Sequence, residues 1–150
     1  MDEYYIFRTA WLYGVGGNNF VKTMTKLGST RDEINVVSDQ HGSPTYAKDL
    51  TEIIYQAIYK KIPYGIYNAT NEGYTTWYDF TKEILAEQGI TCKVNPVTTE
   101  QYIEMMKVTQ AKRPFNSQMS KAKLEATGIK VPEWKDGLKR YLEEAKRLEQ

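Results

Sequence analysis

Gly14-Val15-Gly16, between an aromatic, β-branched run and a helical period, has the setting in which helix N–H groups hold a dinucleotide pyrophosphate. The fingerprint fails at its third position. G-x-G-x-x-G needs glycine at Asn19, and G-x-x-G-x-x-G needs it at Phe20, so these glycines read as a turn with no phosphate role. Tyr78 and Lys82 have the Y-x-x-x-K spacing that sets a phenol and an ammonium on one helix face for proton transfer. In a chain with 12 tyrosines that pattern arises by chance, and here it overlaps a helix start, so it reads as a decoy. His41 is the only histidine, which excludes a metal site built on two imidazoles, and the single cysteine, Cys92, reads as a small hydrophobe in a strand. Two loops, Asp39 to Tyr46 and Lys112 to Ser117, collect polar, planar and conformationally fixed residues of the kind that position a ligand. Within the second, Arg113 beside Pro114 can offer a bidentate fork to phosphate.

These residues need a scaffold, and the pattern supplies alternating strands and helices. Tyr4 to Tyr13 reads as an opening strand closed by the glycine turn. Asn18 or Asn19 caps a helix with Phe20, Met24 and Leu27 on its apolar face, ending at Gly28. Ile34 to Val37 is a short strand, and Thr45 caps a helix whose stripe is Leu50, Ile53, Ile54, Ala57 and Ile58. Ile66 to Ala69 and Cys92 to Val97 are further strands. Thr76 with Asp79, and Thr98 with Gln101, are capping boxes that start two more helices. Lys107 to Ser120 has no clear period. Trp134 to Leu148 is an amphipathic C-terminal helix with Asp136–Arg140 and Glu143–Arg147 placed for i,i+4 pairs. The class is α/β or α+β.

The 150 residues suit one domain, 1–150, and 41% hydrophobic content supplies a core. Twenty Lys and Arg against 19 Asp and Glu leave a net charge of +1, so no broad field exists to hold nucleic acid or an anionic membrane. No apolar run approaches the roughly 20 residues that span a bilayer, one cysteine forms no internal disulfide, and the start lacks a secretory layout. A soluble protein in a reducing, cytoplasmic setting is expected.

In order, Arg8-Thr9-Ala10-Trp11-Leu12-Tyr13-Gly14, Gly17-Asn18-Asn19-Phe20-Val21-Lys22-Thr23-Met24 and Val36-Val37-Ser38-Asp39-Gln40-His41-Gly42-Ser43-Pro44-Thr45 carry a family resemblance. Gly65-Ile66-Tyr67, Trp77-Tyr78-Asp79-Phe80, Val94 to Glu100 and Lys112-Arg113-Pro114 continue it. Together they resemble the second half of the dTDP-4-dehydrorhamnose reductase family of extended short-chain dehydrogenases, over nearly the whole chain. The resemblance implies the C-terminal part of a Rossmann-like α/β enzyme with its smaller mixed α/β substrate-binding domain. The activity it implies is reduction of dTDP-4-dehydro-6-deoxy-L-mannose to dTDP-L-rhamnose with NADPH or NADH. Cofactor and catalytic residues belong to the family's N-terminal half, so no catalytic or cofactor-binding residue and no bound cofactor is expected here.

By the same resemblance, Trp11 corresponds to a tryptophan that packs on the deoxysugar, and Asn19 and Phe20 to a pair beside the nucleotide base. Arg113 corresponds to an arginine near the diphosphate, and Ser43, Pro44 and Thr45 to a loop bordering the pocket. The implied partner is a dTDP-sugar nucleotide. An opening strand cut from a larger sheet predicts self-association or pairing with an N-terminal half. The alternative is a non-catalytic relative, such as the regulatory β subunit of methionine adenosyltransferase.

Overall fold

The computed structural model describes residues 2–107 and 113–149. In chain order the elements begin β1 Tyr5–Arg8, β2 Leu12–Tyr13, α1 Phe20–Thr30, β3 Glu33–Val37, β4 His41–Gly42, β5 Thr45–Tyr46 and α2 Ala47–Tyr59. They continue β6 Gly65–Asn68, β7 Thr75–Thr76, α3 Trp77–Glu87, β8 Lys93–Val97, α4 Thr99–Met106, α5 Ala122–Glu125 and α6 Trp134–Leu148. Strands and helices alternate, as the sequence pattern requires of an α/β fold. The chain crosses back and forth between two compact units. The first takes Met1–Gly17, Ser43–Gly73 and Gln118–Gln150, and the second Asn18–Gly42 and Tyr74–Ser117.

In the first unit β1 and β6 pair in parallel, Tyr5 opposite Gly65 and Arg8 opposite Asn68, and β2 pairs in parallel with β5. Alternation along β1 turns Tyr5 and Phe7 toward a core of Ile53, Ala57, Ile62, Tyr67, Leu124 and Ile129. The opposite face leaves Ile6 and Ile66 exposed. A second cluster is aromatic: Tyr13 stacks on Tyr46 at 5.8 Å, and Tyr141 of α6 meets Tyr13 edge-on at 5.0 Å.

In the second unit β3 and β8 pair in parallel, with Ile34 opposite Val94, and α3 packs on both strands and on α1. Phe80, Ile84 and Leu85 of α3 are buried there. The two-residue strands β4 and β7 pair antiparallel.

Several boundaries differ from the sequence pattern for local reasons. The opening run is two strands, because Trp11 adopts φ 50° and breaks the pleat between them. Helix α1 runs through Gly28 to Thr30; a Cβ at Gly28 would lie 2.6 Å from Leu85, so glycine serves close helix packing and not termination. Thr45 does not cap α2: its hydroxyl donates to the Ala10 carbonyl at 2.8 Å, and Tyr46 takes the N-cap position without a capping bond from its side chain. Ile58 lies outside the buried stripe of α2, whose buried residues are Asp49, Ile53 and Ala57. Strand β8 begins after Cys92, and the single-turn α5 has no clear period in sequence. The Asn19 cap on Lys22 N–H is as expected and Thr98 with Gln101 forms a complete capping box, whereas Thr76 accepts Asp79 N–H but the Asp79 carboxylate takes the Thr76 hydroxyl, so the expected box at α3 is only a one-sided N-cap.

Candidate functional site

The second unit contains a cleft of about 530 Å³ lined by Phe20, Met24, Asn35, Val36, Val37, Gln40, Trp77, Tyr102 and Arg113. Three aromatic side chains from three helices, one cation and two amides are the chemistry of a planar, anionic ligand. Phe20 is the first residue of α1, placed there because the Asn19 side chain caps the helix by accepting from Lys22 N–H at 2.9 Å. Its ring centre lies 4.5 Å from that of Trp77, the first residue of α3, and 5.5 Å from that of Phe80. Tyr102 stands on α4, whose start is fixed by the Thr98–Gln101 box.

The two loops singled out in the sequence meet in this unit. His41 N–H donates to the Phe115 carbonyl and Ser117 N–H to the His41 carbonyl, each at 2.7 Å, so the segment carrying Arg113 pairs alongside β4. Arg113 is exposed at the cleft, while Lys112 lies outside the described residues. Asp39 accepts from the Thr99 hydroxyl at 2.6 Å and from Thr99 N–H at 3.0 Å. The buried Gln40 amide lies between Thr99, 3.0 Å from its Nε2, and the Trp77 indole, 3.2 Å from its Oε1.

Of the residues expected from sequence, Phe20 and Arg113 line this one cleft, and Asn19 holds the helix that presents Phe20. Trp11, Ser43, Pro44 and Thr45 lie in the first unit. Trp11 sits at φ 50°, a conformation a bulky side chain rarely adopts, and it is held there from Thr45. Thr45 N–H donates to the Trp11 carbonyl at 3.0 Å, and its hydroxyl takes the neighbouring Ala10 carbonyl. Ser43 donates to the Gly73 carbonyl at 2.5 Å, and all of Ser43–Thr45 is buried. Thr45 therefore holds the turn that carries Trp11, while Ser43 ties the same loop to Gly73.

Gln40, Trp77, Tyr102, Met24 and Asn35 were not singled out as site residues. Gln40 stood inside a loop already marked as unusual, whereas Trp77 and Met24 read as ordinary helix-core positions. Tyr78 and Lys82 are adjacent, the ammonium 5.0 Å from the ring centre, and border a separate hollow of about 230 Å³ with Cys92. The Cys92 thiol is pushed up, first by burial and then by Asp32 and Glu33, which keeps it protonated and poorly nucleophilic. Among the described residues, no group of three or more His, Cys, Asp or Glu could hold a metal ion, and no helix is long and apolar enough to cross a membrane.

Comparison with known proteins matches residues 1–147 to the family of the RmlD substrate binding domain. SpsK of Bacillus subtilis (strain 168), a spore coat polysaccharide biosynthesis protein, is 43% identical over 93% of this chain and 47% of its own length. The dTDP-4-dehydrorhamnose reductase of Escherichia coli (strain K12) is 37% identical over 95% of this chain and 50% of its own. Among solved structures, a Clostridium acetobutylicum dTDP-4-dehydrorhamnose reductase superposes with TM-score 0.87 at 46% identity, covering 95% of this chain and 49% of that one. The Bacillus anthracis reductase in complex with NADP gives 0.84 at 41% identity, covering 95% and 48%. A Bacillus anthracis dTDP-glucose 4,6-dehydratase, 14% identical at TM-score 0.71 over 97% of this chain and 45% of that one, shares the fold. The chain spans about half the length of the curated relatives it matches.

Proposed function

This chain belongs to the family of the RmlD substrate-binding domain, and from that premise we propose that it is the substrate-binding portion of an NADPH-dependent dTDP-4-dehydrorhamnose reductase acting in the cytoplasm. The observation that carries the reading is the second unit's cleft, where Phe20, Trp77 and Tyr102 meet Arg113. A pyrimidine is planar and stacks on aromatic rings, at about 1–3 kcal/mol per base, and a diphosphate suits the fork of a guanidinium. The cleft thus takes the thymidine diphosphate end of a sugar nucleotide, with Arg113 at the phosphates and Asn19 presenting Phe20 through the helix cap.

Trp11 is assigned to the deoxysugar, whose C–H surface suits an indole face, and Ser43, Pro44 and Thr45 to a loop bordering the pocket, of which Thr45 holds the Trp11 turn. The chain binds and orients; hydride transfer from NADPH to the C4 carbonyl and protonation of the resulting oxygen are assigned to residues outside it. Tyr78 and Lys82 take no part. The reductases among the relatives support this reading over the regulatory-subunit alternative.

Titration calorimetry of the chain with dTDP-rhamnose tests it, with NADPH as the control. Binding of the sugar nucleotide that weakens in Trp11→Ala and in Arg113→Ala, without binding of NADPH, is expected. Sugar-nucleotide affinity untouched by either substitution would overturn the assignment of those residues, and absence of sugar-nucleotide binding would overturn the autonomous substrate module.

A further inference from the structure

The buried amide of Gln40 touches the cleft, yet both ends of that amide are engaged within the protein. An indole N–H can only donate and a carboxylate can only accept, so the chain of bonds between Trp77 and Asp39 has one possible direction. Trp77 donates to Gln40 Oε1 at 3.2 Å, Gln40 Nε2 donates to the Thr99 hydroxyl at 3.0 Å, and that hydroxyl donates to Asp39 at 2.6 Å. The amide orientation is therefore set by its neighbours from both sides. Asp39 also takes Thr99 N–H at 3.0 Å, anchoring the first turn of the helix that carries Tyr102.

Resting on the reading of this cleft as a nucleotide site, we propose that Gln40 is a positioning residue: the one-way relay Trp77–Gln40–Thr99–Asp39 sets the indole as a fixed wall before the ligand arrives. Stacking then meets a wall whose orientation is already chosen, and the ordering cost of that side chain is removed from binding. Thr99 and Asp39 act on the ligand only through the relay and through the start of α4.

The test follows the Trp77 indole N–H resonance in the ligand-free, nitrogen-15-labelled chain, assigned by its loss in Trp77→Phe, together with calorimetric binding of thymidine diphosphate. Gln40→Met keeps length without hydrogen bonds; it should move the indole resonance upfield and weaken thymidine diphosphate by about tenfold. Thr99→Val, close to isosteric and away from the cleft lining, should move the same resonance in the same direction, and Thr99→Ser should restore it. An indole resonance unmoved in Gln40→Met or in Thr99→Val overturns the relay. If the unaltered chain binds no thymidine diphosphate while the resonance moves as described, the nucleotide reading falls and the relay stands. If thymidine diphosphate binds and the resonance stays put, the relay falls and the nucleotide reading stands.

Discussion

In the first unit a polar cluster around Asp49 closes on itself, whereas the second leaves an aromatic cleft open. In the first, the buried Asp49 carboxylate accepts both arms of the Arg140 guanidinium, at 2.5 and 2.7 Å. Asn71 donates to the same carboxylate at 2.7 Å and accepts Tyr46 N–H at 2.8 Å, and the Tyr46 hydroxyl reaches Glu144. Hydrogen bonding to Asp49 is the main cause that holds the Arg140 guanidinium above its ordinary range. An acid, a base, an amide and a phenol in one buried cluster look like catalysis. Here they pin α2 and the Asn71 loop to α6, and Gly137 gives them room, since a Cβ there would lie 3.2 Å from Asp49 Oδ2. In the second unit the polar relay is used to orient rings around an empty volume. Similar chemical groups thus serve cohesion in one unit and presentation in the other, and the difference lies in whether a cavity remains beside them.

Separate substitutions should separate these roles. The largest effect is expected from Asp49→Ala, which leaves the Arg140 charge and the Asn71 amide without their shared acceptor. It should cost about 3 kcal/mol of stability, read by chemical denaturation, with thymidine diphosphate affinity in the folded fraction unchanged. A change in affinity as large as the change in stability would erase the contrast between the units. Phe20→Ala should do the reverse, removing about 2 kcal/mol of ligand affinity in calorimetry with a smaller loss of stability, because the ring is only half-buried.

A pH dependence sharpens the picture of the first unit. Burial, with Asp49 adding, raises the Tyr13 phenol above its ordinary value of 10.0. The folded state keeps a proton that the unfolded state releases. Tyr13 thus contributes fully below pH 10.0, and stability declines as pH rises from there toward the raised folded value. Tyr13→Phe should flatten that alkaline decline in thermal melts; an unchanged slope would assign it to other groups.

The smallest effect is confined to the first unit's surface. Parallel sheets are normally covered on both faces, yet β1 and β6 expose Ile6 at 48% and Ile66 at 36%. Sedimentation should show self-association at high concentration, reduced in Ile6→Lys with Ile66→Lys. A clean monomer for the unaltered chain would remove this expectation.

Much of the fold was legible because it is local. A cap and its partner lie three residues apart, as in Asn19 with Lys22 and Thr98 with Gln101, so residue type and spacing suffice. Phe20 and Arg113, which line the cleft, were singled out only through resemblance to a family and, for Arg113, the fork geometry of its side chain. Trp77 was hidden because an aromatic residue opening a helix has the same sequence signature whether it fills a core or walls a cleft. Asp49 and Arg140 are 91 positions apart, and no period links them.

Composition and spacing by themselves determined the alternating α/β elements and three helix caps, and the ordered motifs carried the resemblance to the family. They did so because periodicity, capping and ordered motifs are properties of neighbouring residues. Tertiary structure alone decided that the chain interleaves into two units, that Ser43 spends its hydroxyl on the Gly73 carbonyl and Thr45 its own on the turn at Trp11, and that Gln40 aligns an indole. Those outcomes depend on which distant donor meets which acceptor once water is excluded, and that pairing is fixed only when the chain has folded.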